Sequence, residues 1–218
     1  MKRREIFIII GLLAASALGY FLLYQSKPVE VMPIRADTGS ESISVEEQAD
    51  NIMVIEVAGQ ANGTVEILLR PDLAPKHVEQ IKTLVRSGAY DGVAFHRVID
   101  GFMAQTGDVA FGKADNYDPV MAGRGASDLP DLPAEFSDVM YVQGIVGMAR
   151  AASPDSANSQ FFIMFTEYPS LNGEYTVIGR VISGMDVVNA IKRGEEAANG
   201  MVASDPDYMA KVSIKSDM

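Results

Sequence analysis

The feature that most constrains the fold is a series of short apolar segments from residue 51 onward, most of them bounded by glycine-containing turns. Short runs rich in β-branched and aromatic residues between turn signals are typical of β-strands. The predicted strands are 52–58, 64–69, 93–98, 102–105, 145–149, 160–165, 176–182 and a closing strand at 211–215. Because these strands do not alternate with helices, we expect antiparallel pairing rather than βαβ units.

Two segments have the periodicity of helices. Residues 76–86 place Val78, Ile81 and Leu84 at helical spacing, which predicts one apolar face, and Gly88 is expected to stop the helix. Residues 184–193 predict the second helix. The predicted fold class is therefore mainly β, an antiparallel barrel capped by two α-helices.

The N-terminal segment, residues 1–24, has the pattern of a transmembrane helix. Lys2, Arg3 and Arg4 precede an uncharged, mostly apolar run, 6–24, long enough to cross the ~30 Å hydrocarbon core. The basic flank predicts a cytoplasmic N-terminus, with the folded domain outside the cytoplasm on the periplasmic side. The small residues 15–17 fit a signal-peptide cleavage site, but the apolar run continues beyond them. We therefore expect an uncleaved signal anchor; the alternative is a cleaved leader and a secreted or periplasmic protein.

The segment 25–50 differs in composition from both of its neighbours. It contains Pro28, Pro33, Gly39 and several Ser and Glu residues, without a sustained hydrophobic period. This composition predicts a flexible acidic linker. The folded domain is accordingly expected to span 51–218.

Composition excludes several classes of function. The chain has no cysteine, which excludes disulfides, iron–sulfur clusters, thiolate zinc sites and cysteine nucleophiles. Its formal net charge of −11 argues against nucleic acid as a partner. Only two histidines are present, His77, expected to be exposed, and His96, so neither a metal site nor a hydrolytic triad is predicted.

The stretch 95–108 carries the residues of greatest chemical interest. Arg97, Phe102, Met103 and Gln105 combine a permanent cation, two large apolar groups and an amide within nine residues. In a strand–turn–strand arrangement these side chains could line one concave surface. Taken alone, these residue types are more typical of ordinary core and surface positions.

Three blocks of sequence resemble the cyclophilin-type peptidyl-prolyl cis-trans isomerases. Residues 95–108 read F-H-R-V-I-D-G-F-M-A-Q-T-G-D and match the signature F-H-R-V-I-x-G-F-M-x-Q-x-G-D at every specified position. The second block comprises 147–151 and 158–163, and the third comprises 171–173 and 175–179. The blocks occur in family order, and the resemblance covers about residues 51–191.

The resemblance implies a closed eight-stranded antiparallel barrel with two capping helices, and an enzyme that rotates X–Pro peptide bonds. Because the N-terminal segment predicts export, we expect this enzyme to act during the folding of exported proteins. The resemblance implies neither a metal nor a cofactor. Arg97 takes the catalytic role as hydrogen-bond donor to the prolyl nitrogen of a twisted amide, and Gln105 helps to hold it. The remaining implied residues bind the substrate: Phe102, Met103, Phe162 and Leu171 form a proline socket, and Ala149, Arg150, Ala151, Gln160 and Tyr175 line the groove.

The sequence departs from the family pattern at three places. Arg150 stands where the family often has Asn, and Ser170 stands where an aromatic residue is frequent, which predicts a weaker grip on cyclosporin-like macrocycles. The loop 116–133 is longer than usual. We expect it to be an idle surface loop, since longer loops are tolerated at little cost; the alternative is a part of the substrate rim.

The expected partners are proline-containing polypeptides and, through the N-terminal helix, a membrane. The chain is expected to be a monomer. The alternative function is a binding or chaperone module that keeps the fold but has little turnover.

Overall fold

The computed structural model describes residues 45–218. The predicted transmembrane helix, 1–24, and most of the predicted linker lie outside these residues. Within residues 45–218, no helix is both long enough and apolar enough to cross a membrane.

The described residues form three α-helices and nine β-strands. The helices are α1 (Val45–Asp50), α2 (Pro75–Arg86) and α3 (Met185–Ala190). The strands are β1 (Ile52–Ala58), β2 (Gly63–Leu69), β3 (Val93–Ala94), β4 (Arg97–Ile99), β5 (Met103–Thr106), β6 (Ile145–Met148), β7 (Phe161–Met164), β8 (Val177–Ser183) and β9 (Tyr208–Ile214).

The nine strands form one antiparallel sheet in the order β3-β9-β1-β2-β8-β6-β7-β5-β4. Its two edge strands, β3 and β4, are consecutive in the chain and are separated only by Phe95 and His96. The sheet therefore curls, because the short connection between β3 and β4 keeps its two edges close together. The mainly β, antiparallel prediction is confirmed.

The strand count differs from the predicted eight because the segment 93–98 is not one strand. Val93 pairs with Met209 of β9, whereas Arg97 pairs with Gln105 of β5. The chain thus changes partner between β3 and β4. His96 leaves both ladders, and its carbonyl accepts a hydrogen bond from the Val202 N–H at 3.0 Å.

Helix α2 follows its prediction, whereas α3 is shorter than predicted. The apolar face of α2 is buried in the main core, and Pro75 occupies the first turn, where a missing N–H is tolerated. Helix α3 ends at Ala190 because Ile191 turns to extended backbone with a buried side chain. The Lys192 N–H then donates to the Asp207 carboxylate at 2.7 Å.

Two apolar clusters lie on opposite faces of the sheet. In β7, Phe161 and Ile163 belong to the larger, interior cluster, whereas Phe162 and Met164 belong to the smaller one. This division follows from the alternation of side chains along a strand. The smaller cluster consists of Met103, Tyr141, Ile145, Phe162, Met164, Leu171 and Val177.

Helix α1 lies in the last residues of the segment predicted as a linker. The Asp50 carboxylate at its end accepts hydrogen bonds from Lys82 Nζ at 2.7 Å and from Arg86 Nη2 at 2.6 Å, and both donors lie on α2. These ion pairs lower the pKa of Asp50. The described part of the chain is therefore joined to α2 from its first helix onward.

Candidate active site

Three neighbouring strands bring the central side chains together. Arg97 of β4 pairs directly with Gln105 of β5, and Gln105 pairs directly with Phe162 of β7. Directly paired residues project from the same face of a sheet, with Cβ atoms about 5 Å apart. The register therefore places a cation, an amide and an aromatic ring in one row.

A chain of hydrogen bonds connects this row to the loop 116–133. Arg97 Nη1 donates to Gln105 Oε1 at 3.1 Å, and Gln105 Nε2 donates to Gln160 Oε1 at 2.9 Å. Gln160 Nε2 then donates to the carbonyls of Gly123 and Gly125, at 3.1 and 2.8 Å. Each amide accepts on one side and donates on the other, so the orientation of both is determined.

The other side of the Arg97 guanidinium binds Asn199. Nε donates to the Asn199 carbonyl and Nη2 donates to Asn199 Oδ1, both at 3.0 Å. With the bond to Gln105, these contacts occupy three of the five guanidinium N–H groups, which leaves two for a ligand.

Arg97 keeps its charge without a carboxylate partner. No acidic oxygen of the described residues lies within 4.0 Å of its nitrogen atoms. Burial lowers the pKa of Arg97, but an arginine starts so high that it stays protonated at neutral pH. The site therefore contains a fixed and uncompensated cation.

Beside this cation lies an apolar socket with a volume of about 170 Å³. Phe102, Met103, Phe162 and Leu171 are among its walls, and three of these four are buried. Nine residues line the socket, all of them predicted from the sequence: Arg97, Phe102, Met103, Gln105, Ala149, Arg150, Phe162, Leu171 and Tyr175.

The remaining two predicted residues, Ala151 and Gln160, line a neighbouring polar cavity of about 290 Å³. Gln105, Ala149 and Arg150 line both spaces, so the socket and the polar cavity are parts of one groove. Five residues of the loop 116–133 line the polar cavity: the consecutive residues Gly123, Arg124, Gly125 and Ala126, and Asp131. The loop thus forms part of the groove wall, which favours the substrate rim over the idle surface loop expected from the sequence.

The wall of the socket is supported by stacked aromatic rings. The Tyr141 and Phe162 rings are nearly parallel, with centroids 5.8 Å apart, and Tyr175 meets Phe162 edge-on at 5.9 Å. Arg150 covers the Tyr175 ring at 4.4 Å. These contacts keep Phe162 in one position at the bottom of the groove.

Several residues of the site were not identified from the sequence. Asn199 lies about one hundred positions after β4 in the chain, and no local sequence pattern predicts its contact with Arg97. Asp108 was matched only as part of the signature, although its carboxylate organises the loop. The Tyr168 ring lies against Phe102 at a tilt of 38°, with centroids 4.4 Å apart, so an aromatic ring lies beside the socket although Ser170 is not aromatic.

His77 takes no part in the groove's row of polar contacts, whereas the buried ring of His96 lies beside Gln160, a member of that row. His77 is fully buried, and the expectation that it is exposed is wrong: its Nδ1 lies 2.6 Å from Glu135 Oε2. Burial lowers the pKa of His96 to about 4, so this ring is neutral at neutral pH. In the part of the chain that the structure describes, no group of three or more His, Asp or Glu side chains could hold a metal ion.

Comparison with known families identifies the family to which this fold belongs. The sequence profile described as "Cyclophilin type peptidyl-prolyl cis-trans isomerase/CLD" matches residues 52–215. The chain belongs to the cyclophilin family. The match includes helices α2 and α3 and all nine strands of the sheet.

Individual relatives agree with this assignment. A protein of Brucella suis biovar 1 called "Probable peptidyl-prolyl cis-trans isomerase" is 62% identical over 157 residues, which are 72% of this chain and 80% of the relative. A crystal structure of a cyclophilin from Hirschia baltica superposes with a TM-score of 0.62 at 29% identity, covering 78% of this chain and 76% of that one.

A second solved structure carries information about a ligand. It is a cyclophilin type peptidyl-prolyl cis-trans isomerase from Cryptosporidium parvum, determined in the presence of the dipeptide Ala-Pro. It superposes with a TM-score of 0.61 at 26% identity, and the match covers 75% of this chain and 98% of that one.

Proposed function

We propose that this cyclophilin accelerates rotation about X–Pro peptide bonds by donating a hydrogen bond from Arg97 to the prolyl nitrogen. The observation that carries the proposal is an uncompensated guanidinium, with two unused N–H groups, beside an apolar socket of about 170 Å³. An apolar socket fits the proline ring, and the guanidinium lies at its edge. The Ala-Pro dipeptide present with the Cryptosporidium relative supports a proline-containing ligand.

The chemistry to be accelerated is a bond rotation. An X–Pro bond isomerises over tens of seconds, against a barrier of about 20 kcal/mol, because amide resonance must be broken. At the twisted transition state the prolyl nitrogen regains a lone pair and can accept a hydrogen bond. A donor that binds this state more strongly than either planar state lowers the barrier, and each ~1.4 kcal/mol gives about tenfold in rate.

The geometry explains why Arg97 is suited to this role. Its contacts with Asn199 and Gln105 fix the guanidinium before the substrate arrives, so little reorganisation is needed during the reaction. The backbone N–H and C=O of Arg150 make no hydrogen bond within residues 45–218, and we propose that they bind the substrate chain. Neither a nucleophile nor a proton transfer is required.

The test compares purified full chain with the variants Arg97→Ala and Arg97→Lys, by exchange NMR on a short proline peptide. We expect Arg97→Ala to lower kcat/KM about a hundredfold or more, as for the loss of a preorganised donor. Arg97→Lys keeps the charge but not the planar fork and is expected to recover only part of the rate. Arg180→Ala, an exposed arginine on β8 outside the groove, is the matched control.

Two outcomes would overturn the proposal in different ways. Equal rates for wild type and Arg97→Ala would show that Arg97 is not the catalytic donor. If the wild-type chain bound the peptide, seen as chemical-shift changes, without accelerating exchange, the chain would be a binding or chaperone module.

We further propose that the protein acts on exported polypeptides at the outer side of a membrane. The support is the basic N-terminal flank and the apolar run 6–24. Cell fractionation should place the full chain in the membrane pellet after a high-salt wash, with the folded domain digested by protease added to spheroplasts. Intact mass distinguishes an uncleaved anchor from a cleaved leader, and recovery in the cytoplasmic fraction would contradict the proposal.

A further inference from the structure

The charge of the groove is opposite to the charge of the whole chain. The chain carries 29 acidic and 18 basic residues, a formal net charge of −11. Yet Arg97, Arg124 and Arg150 all line the groove formed by the socket and the polar cavity. A cationic groove is unexpected on a protein with this acidic composition. It indicates that the ligand carries a negative charge.

These three arginines are distinguished by the absence of acidic partners. Among the seven arginines of residues 45–218, three form ion pairs with carboxylates: Arg70, Arg86 and Arg193. The other four have no acidic oxygen of the described residues within 4.0 Å, and three of those four line the groove. The fourth, Arg180, lies on β8.

Arg150 is held in place without being neutralised. Its Nε and Nη2 donate to the Glu174 carbonyl at 3.3 and 3.1 Å, and its Nη1 donates to the carbonyls of Ala151 and Ala152 at 3.1 and 3.3 Å. The Tyr175 ring supports its face. Because backbone carbonyls are uncharged, the full positive charge stays at the junction of the socket and the polar cavity.

Arg124 stands across the polar cavity on the loop 116–133. Its side chain is exposed and makes no hydrogen bond within residues 45–218. Its neighbours Gly123 and Gly125 are fixed by Gln160, so the start of the side chain is fixed while its end can reach a ligand. Arg124 is therefore available to pair with an anionic group in the cavity.

One acidic residue opposes this charge. Asp131 also lines the polar cavity, and its Oδ1 accepts a hydrogen bond from Asn158 Nδ2 at 3.1 Å. The cavity thus has two guanidinium groups and one carboxylate, and Arg97 adds a third cation on the other side of Gln105. The buried Asp108 carboxylate behind Gly123 and Gly125 adds a second negative charge, so the balance of three cations and two carboxylates around a bound peptide is still positive.

We propose that the groove selects polypeptides that carry an Asp or Glu side chain close to the isomerised proline, on the side that occupies the polar cavity. This inference rests on the proposed function, since the proline must first occupy the socket. The peptide carboxylate would lie between Arg124 and Arg150. One or two exposed ion pairs of this kind correspond to a preference of about two- to tenfold in kcat/KM.

The test uses the full chain and peptides with one proline, in which Glu, Gln or Lys occupies one position at a time before or after the proline. Exchange NMR gives kcat/KM for each peptide. We expect kcat/KM to decrease from the Glu peptide to the Gln peptide to the Lys peptide, at one or two positions on a single side of the proline. The preference should shrink as ionic strength rises, because exposed charges are screened.

Charge reversal locates the preference in the groove. Arg124→Glu is expected to abolish or invert the ratio of Glu to Lys peptides while the Gln peptide is still isomerised. Arg150→Gln should reduce the ratio as well. Arg180→Glu makes the same change in charge outside the groove and is expected to leave the ratio at its wild-type value.

The outcomes separate this inference from the proposed function. If the Gln peptide is not accelerated by the wild-type chain, the proposed function fails. If the Gln peptide is accelerated but Glu, Gln and Lys peptides react equally, the preference for acidic substrates is wrong. An equal loss of the ratio in Arg180→Glu and Arg124→Glu would show that the preference comes from net charge and not from the groove.

Discussion

Asp108 is the residue on which the shape of the groove's loop most depends. Its carboxylate is fully buried and accepts four backbone N–H groups. Oδ1 binds those of Ala110 and Phe111 at 3.1 and 2.8 Å, and Oδ2 binds those of Gly123 and Gly125 at 2.8 and 2.9 Å. The same two glycines offer their carbonyls to Gln160, so the carboxylate is linked to Arg97 through the amide chain.

Asp108→Asn is expected to lower both stability and activity. One carboxylate oxygen becomes an NH₂ group that faces backbone donors, which leaves buried N–H groups unpaired at a cost of about 1–3 kcal/mol. Arg97 itself is unchanged, but its support through Gln160 and Gln105 is loosened. We expect kcat/KM to fall about threefold to tenfold, on the scale of one lost hydrogen bond.

The measurement is kcat/KM together with the free energy of unfolding in denaturant. Asp118→Asn is the matched control, because the Asp118 carboxylate caps the exposed N–H of Val120 in the same loop at 2.8 Å. Wild-type kcat/KM in Asp108→Asn would show that the loop does not position Arg97.

Among the elements, strand β6 shows how a strand determines the position of the socket. Gly147 pairs with Phe162 of β7, and a Cβ at this position would collide with Tyr141 Oη and lie 2.7 Å from Phe162 Cζ. Glycine in the middle of a strand usually weakens it. Here its missing side chain gives the two stacked rings their space.

Gly147→Ala is expected to displace Phe162 towards the socket. Overpacking of this kind costs about 1–3 kcal/mol of stability. Because the socket is narrowed, we also expect a higher KM for proline peptides, while the overall fold is kept. Thermal unfolding and kcat/KM of the variant check this expectation.

A second substitution tests the cause. Tyr141→Phe removes the hydroxyl that the new Cβ would strike, and that buried hydroxyl has no hydrogen-bond partner among residues 45–218. The double variant should therefore recover part of the loss, giving a favourable coupling in a double-mutant cycle. Additive effects would show that Gly147 matters for a reason other than space for the rings.

At the scale of the whole molecule, His96 makes stability depend on pH. The ring is buried beside Gly123 of the loop 116–133, and burial lowers its pKa to about 4. The nearby Asp108 carboxylate offsets this effect only in part. An unfolded histidine has a pKa near 6.5. Between this pH and about pH 4, the unfolded chain therefore binds a proton at His96 that the folded chain does not bind.

The stabilisation from the neutral His96 is fully present above about pH 6.5 and is lost as pH falls towards 4. Between pH 7 and pH 5 we expect a loss of about 2 kcal/mol in the free energy of unfolding. His96→Phe keeps a ring of nearly the same volume without the titrating group. Measured by denaturant unfolding, the free energy of unfolding should depend less on pH in the variant than in the wild type. Equal pH dependence in the two proteins would show that His96 is not its source.

The described domain also shows which features can be read from local sequence. Strand β1, helix α2 and the antiparallel, mainly β class follow from short-range patterns, because burial of a strand face or a helix stripe imposes a period on the sequence. Four of the nine socket residues, Arg97, Phe102, Met103 and Gln105, lie close together because the signature stretch folds into the paired strands β4 and β5. The other five come from later segments of the chain. Resemblance to the family supplied their roles, which periodicity alone left open.

The sequence by itself therefore determined the class of fold, the family and the row from Arg97 to Gln105. The tertiary structure decided what surrounds that row. The split of 93–98 into β3 and β4, the contact from Asn199, and the place of Arg124 in the groove all depend on which distant segments pack together. Such contacts leave no local period, since they join residues far apart in the chain, and only the curled arrangement of the sheet and its loops brings them to the short apolar strands.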